Sequence, residues 1–255
     1  MQTEELLAYL FDEKPQLLTE PMAAWLGSSR RFVAFVYTFR EKIRKKLRTA
    51  PERESLLDLQ LELETAYLLL QERRLSLVYE PQKSGMVRCP DFAVTFTSSF
   101  TFMLEVTRTR VDRRNKAAEA REYALSTPPP NTIPTVSPVG DRLVDTICSK
   151  LSQLMTHQSN VLIIGLDAMR VTPSDLRAAI FRIERRAEQN DTMLLEGYGF
   201  RDRSDFFRHY QRLSEVLVRG IHSQLSEPLV TWINPQAKHP LLSKVRTALY
   251  HSQAI

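Results

Sequence analysis

The feature that most constrains the fold is a stretch of alternating apolar residues, RCPDFAVTFTSSFTFMLEVTRTR, at residues 88–110. Apolar side chains at every second position predict two β-strands joined by the short loop TSS. A buried face fixes the register, because a slip by one residue would turn each apolar set to the opposite face. Matching the apolar faces gives three cross-strand pairs: Phe96 with Phe100, Val94 with Phe102, and Phe92 with Leu104.

The same register places two acidic side chains opposite each other. Asp91 and Glu105 form the next pair beyond Phe92, on the face opposite the apolar one. Directly opposed residues have Cβ atoms roughly 5 Å apart, and like charges placed so repel. A divalent cation would offset the repulsion, since Mg²⁺ prefers oxygen ligands, often one or two carboxylates completed by water and phosphate. The alternatives are a solvent-exposed face that screens the repulsion, or an arginine paired with each acid.

The segments PDF at residues 90–92 and LEVT at residues 104–107 resemble the motif of the PD-(D/E)xK nuclease superfamily. The resemblance extends more weakly over about residues 55–255. It implies an α/β protein with the restriction-endonuclease-like fold, a mixed central sheet flanked by helices. It also implies that Asp91 and Glu105 bind a catalytic Mg²⁺ or Mn²⁺ ion. The implied activity is hydrolysis of phosphodiester bonds, with DNA as the expected substrate.

The chain departs from this motif two residues after Glu105, where Thr107 replaces the usual lysine. The neighbouring Arg108 points to the other face by strand parity. In some members of the family another element supplies the lysine, and the candidate here is Lys150 in the helix CSKLSQL. Gln153 lies three residues further along, on the same helix face. Thr107 could itself position a water molecule, and the alternative for Lys150 is a solvated helix lysine.

A further acidic candidate lies in the helix before the hairpin, LDLQLELETAYLLL. Leu61 and Leu68 belong to an apolar stripe that also includes Glu64, whereas Glu62 falls with Asp58 on the polar side. A buried glutamate needs a partner. The family resemblance implies that a glutamate on this helix completes the metal site, which makes Glu64 a candidate catalytic residue. The alternative is that Glu64 pairs with an arginine.

A run of basic residues follows the hairpin and could hold the backbone of a nucleic acid without reading its sequence. The alternative is a solvated charged loop. The net charge of +5 and the pI of about 9.3 permit a nucleic-acid partner, because phosphate binding needs clustered lysine and arginine. The run consists of Arg108, Arg110, Arg113, Arg114 and Lys116.

The remaining sequence divides into two expected parts. Residues 1–50 are predicted to be helical, an N-terminal extension for contact with DNA or a partner. Residues 51–255 alternate strands with helices, which is typical of an α/β domain, here the expected nuclease-like core. One of these helices has the N-terminal signature of Thr172 as N-cap followed by Pro173.

Two classes of function follow from these patterns. The first is a metal-dependent endonuclease acting on DNA, and the second is a catalytically inactive protein of the same fold that binds nucleic acid or assembles with proteins. No apolar run approaches the roughly 20 residues that span a bilayer, and the N-terminus lacks a signal-peptide pattern. Cys89 and Cys148 form no disulfide framework, so a cytoplasmic protein is expected. A homodimer would suit double-strand cleavage, and the sequence leaves this and other protein partners open.

Overall fold

A computed structural model describes most of the chain, in the ranges 3–12, 17–50, 52–81, 89–109, 138–167, 171–221 and 229–253. Within these ranges the protein is α/β, with a six-stranded mixed sheet between two layers of helices. No helix in the described ranges is both long enough and apolar enough to cross a membrane. Cys89 is exposed and Cys148 is buried, and neither forms a disulfide.

The elements follow one another in a simple order along the chain. Four helices come first: α1 (Thr3–Phe11), α2 (Thr19–Ser28), α3 (Arg30–Thr49) and α4 (Arg53–Gln71). Three strands come next: β1 (Leu75–Tyr79), β2 (Phe92–Phe96) and β3 (Phe100–Arg108). The remaining elements are α5 (Pro138–Leu151), β4 (Asn160–Asp167), α6 (Pro173–Glu188), α7 (Thr192–Gly197), α8 (Arg203–Tyr210), β5 (Leu213–Ile221), β6 (Val230–Ile233) and α9 (Ser243–Gln253).

The strands lie in the sheet in the same order as in the sequence. β1, β2 and β3 form an antiparallel meander, whereas β3, β4 and β5 are mutually parallel and β6 returns antiparallel to β5. Parallel neighbours need a crossover. The chain supplies α5 between β3 and β4, and α6 to α8 between β4 and β5.

The predicted hairpin register is confirmed. Phe96 pairs with Phe100, Val94 with Phe102, and Phe92 with Leu104. The apolar side chains of the hairpin pack beneath the first four helices and α9, in one of the two hydrophobic cores. The second core lies on the other face of the sheet, beneath α5 to α8. Each face of the sheet is therefore covered, and a shift in register would bury the acidic side chains in the first core.

The predicted N-terminal extension packs directly on the sheet. The ring of Phe35, in α3, lies 6.0 Å from the ring of Tyr79 and 6.4 Å from that of Phe92. The boundary predicted after residue 50 falls between α3 and α4, and both helices contribute to the same core. This shared core brings the basic second half of α3 close to the ends of β1 and β2.

Local capping explains where α6 begins. The Thr172 hydroxyl accepts a hydrogen bond from the Asp175 backbone N–H, and the Asp175 carboxylate accepts one from the Thr172 N–H. Pro173 occupies the first helical turn, where its missing N–H costs nothing. The predicted N-terminus of this helix is confirmed.

Candidate functional site

The site lies where β2 and β3 part. The hydrogen-bonded pairing of the two strands ends at Phe92, while β3 continues alongside β4. Extending the register would set Pro90 opposite Val106, and proline has no N–H to donate. The Asp91 side chain takes over instead, because its Oδ2 accepts the Val106 backbone N–H at 2.7 Å. The proline and the aspartate of the motif thus open the strand pair and fix one carboxylate at its edge.

Glu105 and Lys150 meet on the face of the sheet that α5 covers. Glu105 is buried and stands beside Leu162 of β4, in the register of the parallel strands. Lys150, in the last turn of α5, brings its Nζ to 2.8 Å from Glu105 Oε1. The same Nζ lies 3.5 Å from Gln153 Oε1. The structure therefore brings together Glu105, Lys150 and Gln153, three residues that the sequence selected as candidates.

The electrostatic environment of Asp91 is unfavourable for its charge. Burial contributes most to a pKa well above the ordinary range, and the charges of Glu105 and Glu62 add to it. The Val106 N–H and the Lys46 ammonium act in the opposite direction and lower the pKa. Asp91 Oδ1 makes no hydrogen bond with the residues that the structure describes. An additional positive charge at this oxygen would be stabilised.

Thr107 occupies the position of the missing motif lysine. It lies on the same face of β3 as Glu105, is half-buried, and pairs in register with Ile164. Its hydroxyl has no hydrogen-bond partner among the described side chains and backbone groups. A water-positioning role for Thr107 stays a prediction.

The acid of α4 that approaches the site is Glu62, and this corrects the assignment of the two glutamates to helix faces. Glu64 pairs with Arg219 at 3.0 Å, as in the alternative weighed from the sequence. The side chain of Glu62 is 15% exposed and that of Glu64 is 29% exposed. α4 packs against β1 and β3 on one side and against α3 and α9 on the other. A helix enclosed in this way has no broad polar face, so its periodicity does not separate the two glutamates.

Glu62 belongs to a polar cluster that no pattern in the sequence indicated. Its Oε2 accepts hydrogen bonds from the Tyr79 hydroxyl and from Lys46 Nζ, each at 2.7 Å. Lys46 Nζ also lies 2.8 Å from Glu80 Oε1. The Glu80 backbone N–H donates to the Asp91 carbonyl at 2.8 Å, which joins the cluster to the motif. Burial raises the pKa of Glu62, and the Lys46 charge opposes this shift.

The structure corrects the prediction that Arg108 contacts nucleic acid. Its guanidinium is fully buried, donates to Asp58 Oδ1 at 3.1 Å and pairs with the Glu54 carboxylate. Strand parity turns Arg108 towards α4, whose first turns carry these acids. A buried, paired guanidinium ties β3 to α4 and is not presented to a phosphate. The other members of the basic run, Arg110, Arg113, Arg114 and Lys116, lie outside the described residues.

The donor set is compatible with a small, hard cation. Among the residues that the structure describes, no three aspartate, glutamate, histidine or cysteine side chains converge at the spacing of a metal site. Mg²⁺ usually keeps several waters and takes only one or two protein carboxylates. Asp91 and Glu105 supply two, and Asp91 has an oxygen without a described partner. The pair therefore fits Mg²⁺ or Mn²⁺ completed by water and substrate, and it does not fit an all-protein cage.

Comparison with known proteins identifies no relative of this chain. No protein-family model, curated protein or solved structure matches the chain. The basis for a function is therefore the geometry of the site, in which Glu105 pairs with a lysine from a neighbouring helix and Asp91 is held at the strand edge.

Proposed function

We propose that the chain is a metal-dependent nuclease of the restriction-endonuclease-like fold that hydrolyses phosphodiester bonds in DNA. The observation that carries the proposal is the 2.8 Å contact between Lys150 Nζ and Glu105 Oε1, beside the Asp91 carboxyl. Thr107 leaves the motif without its own lysine, and α5 delivers one to the same acid. Two carboxylates can hold a metal ion, and a neighbouring ammonium can stabilise the charge that develops during metal-assisted hydrolysis.

Each residue has a distinct role in this proposal. Asp91 and Glu105 would hold Mg²⁺ or Mn²⁺, which supplies polarisation of the scissile phosphate and a more acidic bound water. Lys150 orients the attacking water or stabilises the negative charge that develops on the phosphate. Gln153 restricts the orientation of Lys150 through their 3.5 Å contact. The Val106 N–H keeps Asp91 at the strand edge.

Cleavage of supercoiled plasmid and of single-stranded DNA tests the proposal, with Mg²⁺, Mn²⁺ or EDTA in parallel reactions. We expect metal-dependent nicking by the wild type and its loss in Asp91→Ala and Lys150→Ala. Lys244→Ala is the matched control, because Lys244 is an exposed lysine on α9, on the other side of the sheet from α5. Loss in Asp91→Ala alone would retain the nuclease and refute the role of Lys150.

A catalytically inactive protein of the same fold, binding nucleic acid or assembling with proteins, is the second candidate. The observation that favours it is the Lys150–Glu105 ion pair itself, which neutralises Glu105 without a cation. In that case the wild type would bind DNA without cleaving it under any metal condition. Lys150→Ala would then lower the free energy of unfolding, because Glu105 would be left buried without its lysine partner.

A further inference from the structure

A third carboxylate, that of Glu62, is close enough to Asp91 for its charge to raise the pKa of Asp91, and it is held by only one of its oxygens. Glu62 Oε2 accepts hydrogen bonds from the Tyr79 hydroxyl and from Lys46 Nζ, both at 2.7 Å. Glu62 Oε1 makes no hydrogen bond with any group in the described part of the chain. Two donors on one oxygen fix the direction of the carboxylate, and its second oxygen remains an acceptor without a protein donor.

The two donors are themselves held firmly at the end of β1. Tyr79 pairs with Phe92 in the sheet and its side chain is fully buried. Lys46 Nζ lies 2.8 Å from Glu80 Oε1 and 4.9 Å from the centre of the Tyr79 ring. One helical turn earlier, Lys42 Nζ donates to the carbonyls of Tyr79 and Glu80 at 3.1 and 2.9 Å. α3 is therefore attached to the strand end that borders Asp91.

A purely structural role explains this cluster poorly. The side chain of Glu62 is mostly buried, and removing a carboxylate and an ammonium from water is energetically costly. Apolar residues of similar volume often stabilise a fold as well as, or better than, a buried ion pair. The Glu62 charge also raises the electrostatic cost at the neighbouring Asp91, and the Lys46 charge opposes this effect. Its geometry is better suited to presenting one oxygen in a fixed direction.

We propose that Lys46 and Tyr79 are positioning residues of the site, which orient Glu62 so that Oε1 accepts a hydrogen bond from a water molecule of the bound cation. The contact passes through water because no three acidic side chains converge in the described residues, and because Mg²⁺ retains part of its water shell. The inference rests on the proposed function. It makes α3, within the predicted N-terminal extension, a structural part of the active site.

Mn²⁺ binding, measured by titration calorimetry on the full chain, tests the inference without depending on cleavage. Tyr79→Phe changes no charge, and we expect its Mn²⁺ affinity to fall about 10-fold, as when an outer-shell partner of a metal site is removed. Glu62→Gln should lose at least as much. In the Glu62→Gln background, Tyr79→Phe should cause no further loss, because the hydroxyl acts through Glu62.

The Lys46→Ala variant distinguishes a positioning role of Lys46 from a purely electrostatic effect of its charge. Removing a nearby positive charge should strengthen cation binding, whereas loss of the Glu62 orientation should weaken it. We expect weaker binding in Lys46→Ala and no loss in Lys45→Ala, a matched control on the same turn whose side chain is exposed. Thermal unfolding verifies that each variant is folded. In cleavage assays, the kcat of Tyr79→Phe should fall while its KM for DNA stays unchanged.

The outcomes are distinguishable. A wild type that binds no Mn²⁺ would refute both the metal-dependent function and the inference. A wild type that binds Mn²⁺, with Tyr79→Phe and Lys46→Ala binding equally well, would refute the positioning role alone. A Tyr79→Phe loss that persists in the Glu62→Gln background would show that the hydroxyl does not act through Glu62, and would also overturn the inference.

Discussion

In the absence of a cation, replacing Asp91 by asparagine should stabilise the protein. Asparagine has the same shape, and its carbonyl oxygen can still accept the Val106 N–H that Asp91 Oδ2 accepts at 2.7 Å. The change removes the charge that the neighbouring carboxylates of Glu105 and Glu62 oppose. The expected gain therefore reports the cost of the Asp91 charge, which comes from burial first and from the neighbouring carboxylates second, without the loss of a hydrogen bond.

The size of the gain follows from the arrangement of charges. Two carboxylates roughly 5 Å apart repel by about 3 kcal/mol at an effective dielectric constant near 20. Lys150 on Glu105 and Lys46 on Glu62 cancel part of this repulsion. A net gain of about 1–2 kcal/mol is expected for Asp91→Asn, which corresponds to a rise in melting temperature of roughly 2–8 °C for a chain of this size.

The assay is urea and thermal unfolding in EDTA near neutral pH, where the midpoint should rise without a change in the denaturant slope. The pKa of Asp91 is raised in the folded state, so its charge costs stability as the pH rises above the ordinary value of 3.8. The difference between variant and wild type should therefore vanish at pH values below 3.8 and grow above it. Saturating Mg²⁺ should stabilise the wild type and not Asp91→Asn.

Asp141→Asn is the control, because Asp141 is a largely exposed carboxylate that pairs with Arg182 at 2.7 Å. Its loss should leave stability unchanged or lower it by less than about 1 kcal/mol. If Asp91→Asn and Asp141→Asn lowered the free energy of unfolding equally in EDTA, the prediction would be contradicted. The Asp91 charge would then be compensated in the folded protein.

Three other expectations follow from the structure. Arg108→Ala should lower the free energy of unfolding by about 2–3 kcal/mol in urea titrations, because the guanidinium is fully buried, and leave DNA affinity unchanged in a fluorescence-anisotropy titration. Arg74 lowers the pKa of Glu72 to about 2, so Glu72→Gln should lose less than about 1 kcal/mol at neutral pH and nothing below pH 2 in pH-dependent unfolding. Gly165→Ala should cost about 1–3 kcal/mol in thermal unfolding, because the new methyl group would collide with the side chains of Ile221 and Leu61.

Matched variants keep these expectations falsifiable. Arg177→Ala removes an exposed arginine and should be nearly neutral for stability, and equal losses in Arg177→Ala and Arg108→Ala would contradict the buried role of Arg108. Gly27→Ala places a methyl group in open space within α2 and should stabilise slightly. A neutral Gly165→Ala would mean that the side chains of Ile221 and Leu61 move aside at little cost.

The hairpin register was predictable because its information is local. Alternation fixed the register of β2 and β3, and strand parity then placed Arg108 on the face opposite Glu105. The contact between Lys150 and Glu105 spans 45 residues but agrees with the expectation that α5 lies against the sheet. Strand parity did not indicate that the acidic residues at the start of α4 would pair with Arg108 in a buried position.

The cluster around Glu62 could not be predicted from the sequence, because its members come from elements whose packing is not a local property. The choice between Glu62 and Glu64 depends on what encloses α4 on all sides, and helical periodicity carries information about one buried face only. Lys46 lies 16 residues from Glu62 in a helix that the sequence assigned to a separate extension. The one available signal was the pair Lys42 and Lys46, one helical turn apart in the basic half of α3.

The separation of β2 from β3 also bears on self-association. Among the described residues the ladder with β2 ends at Leu104, and a strand edge without a partner strand is a template for pairing with another chain. The Asp91 side chain occupies the Val106 N–H, and its charge discourages an incoming strand. Asp91→Ala would uncover this donor and remove the charge together, so it should favour intermolecular strand pairing. Asp91→Asn leaves the donor occupied, and it is therefore the substitution that removes the charge while keeping the edge closed.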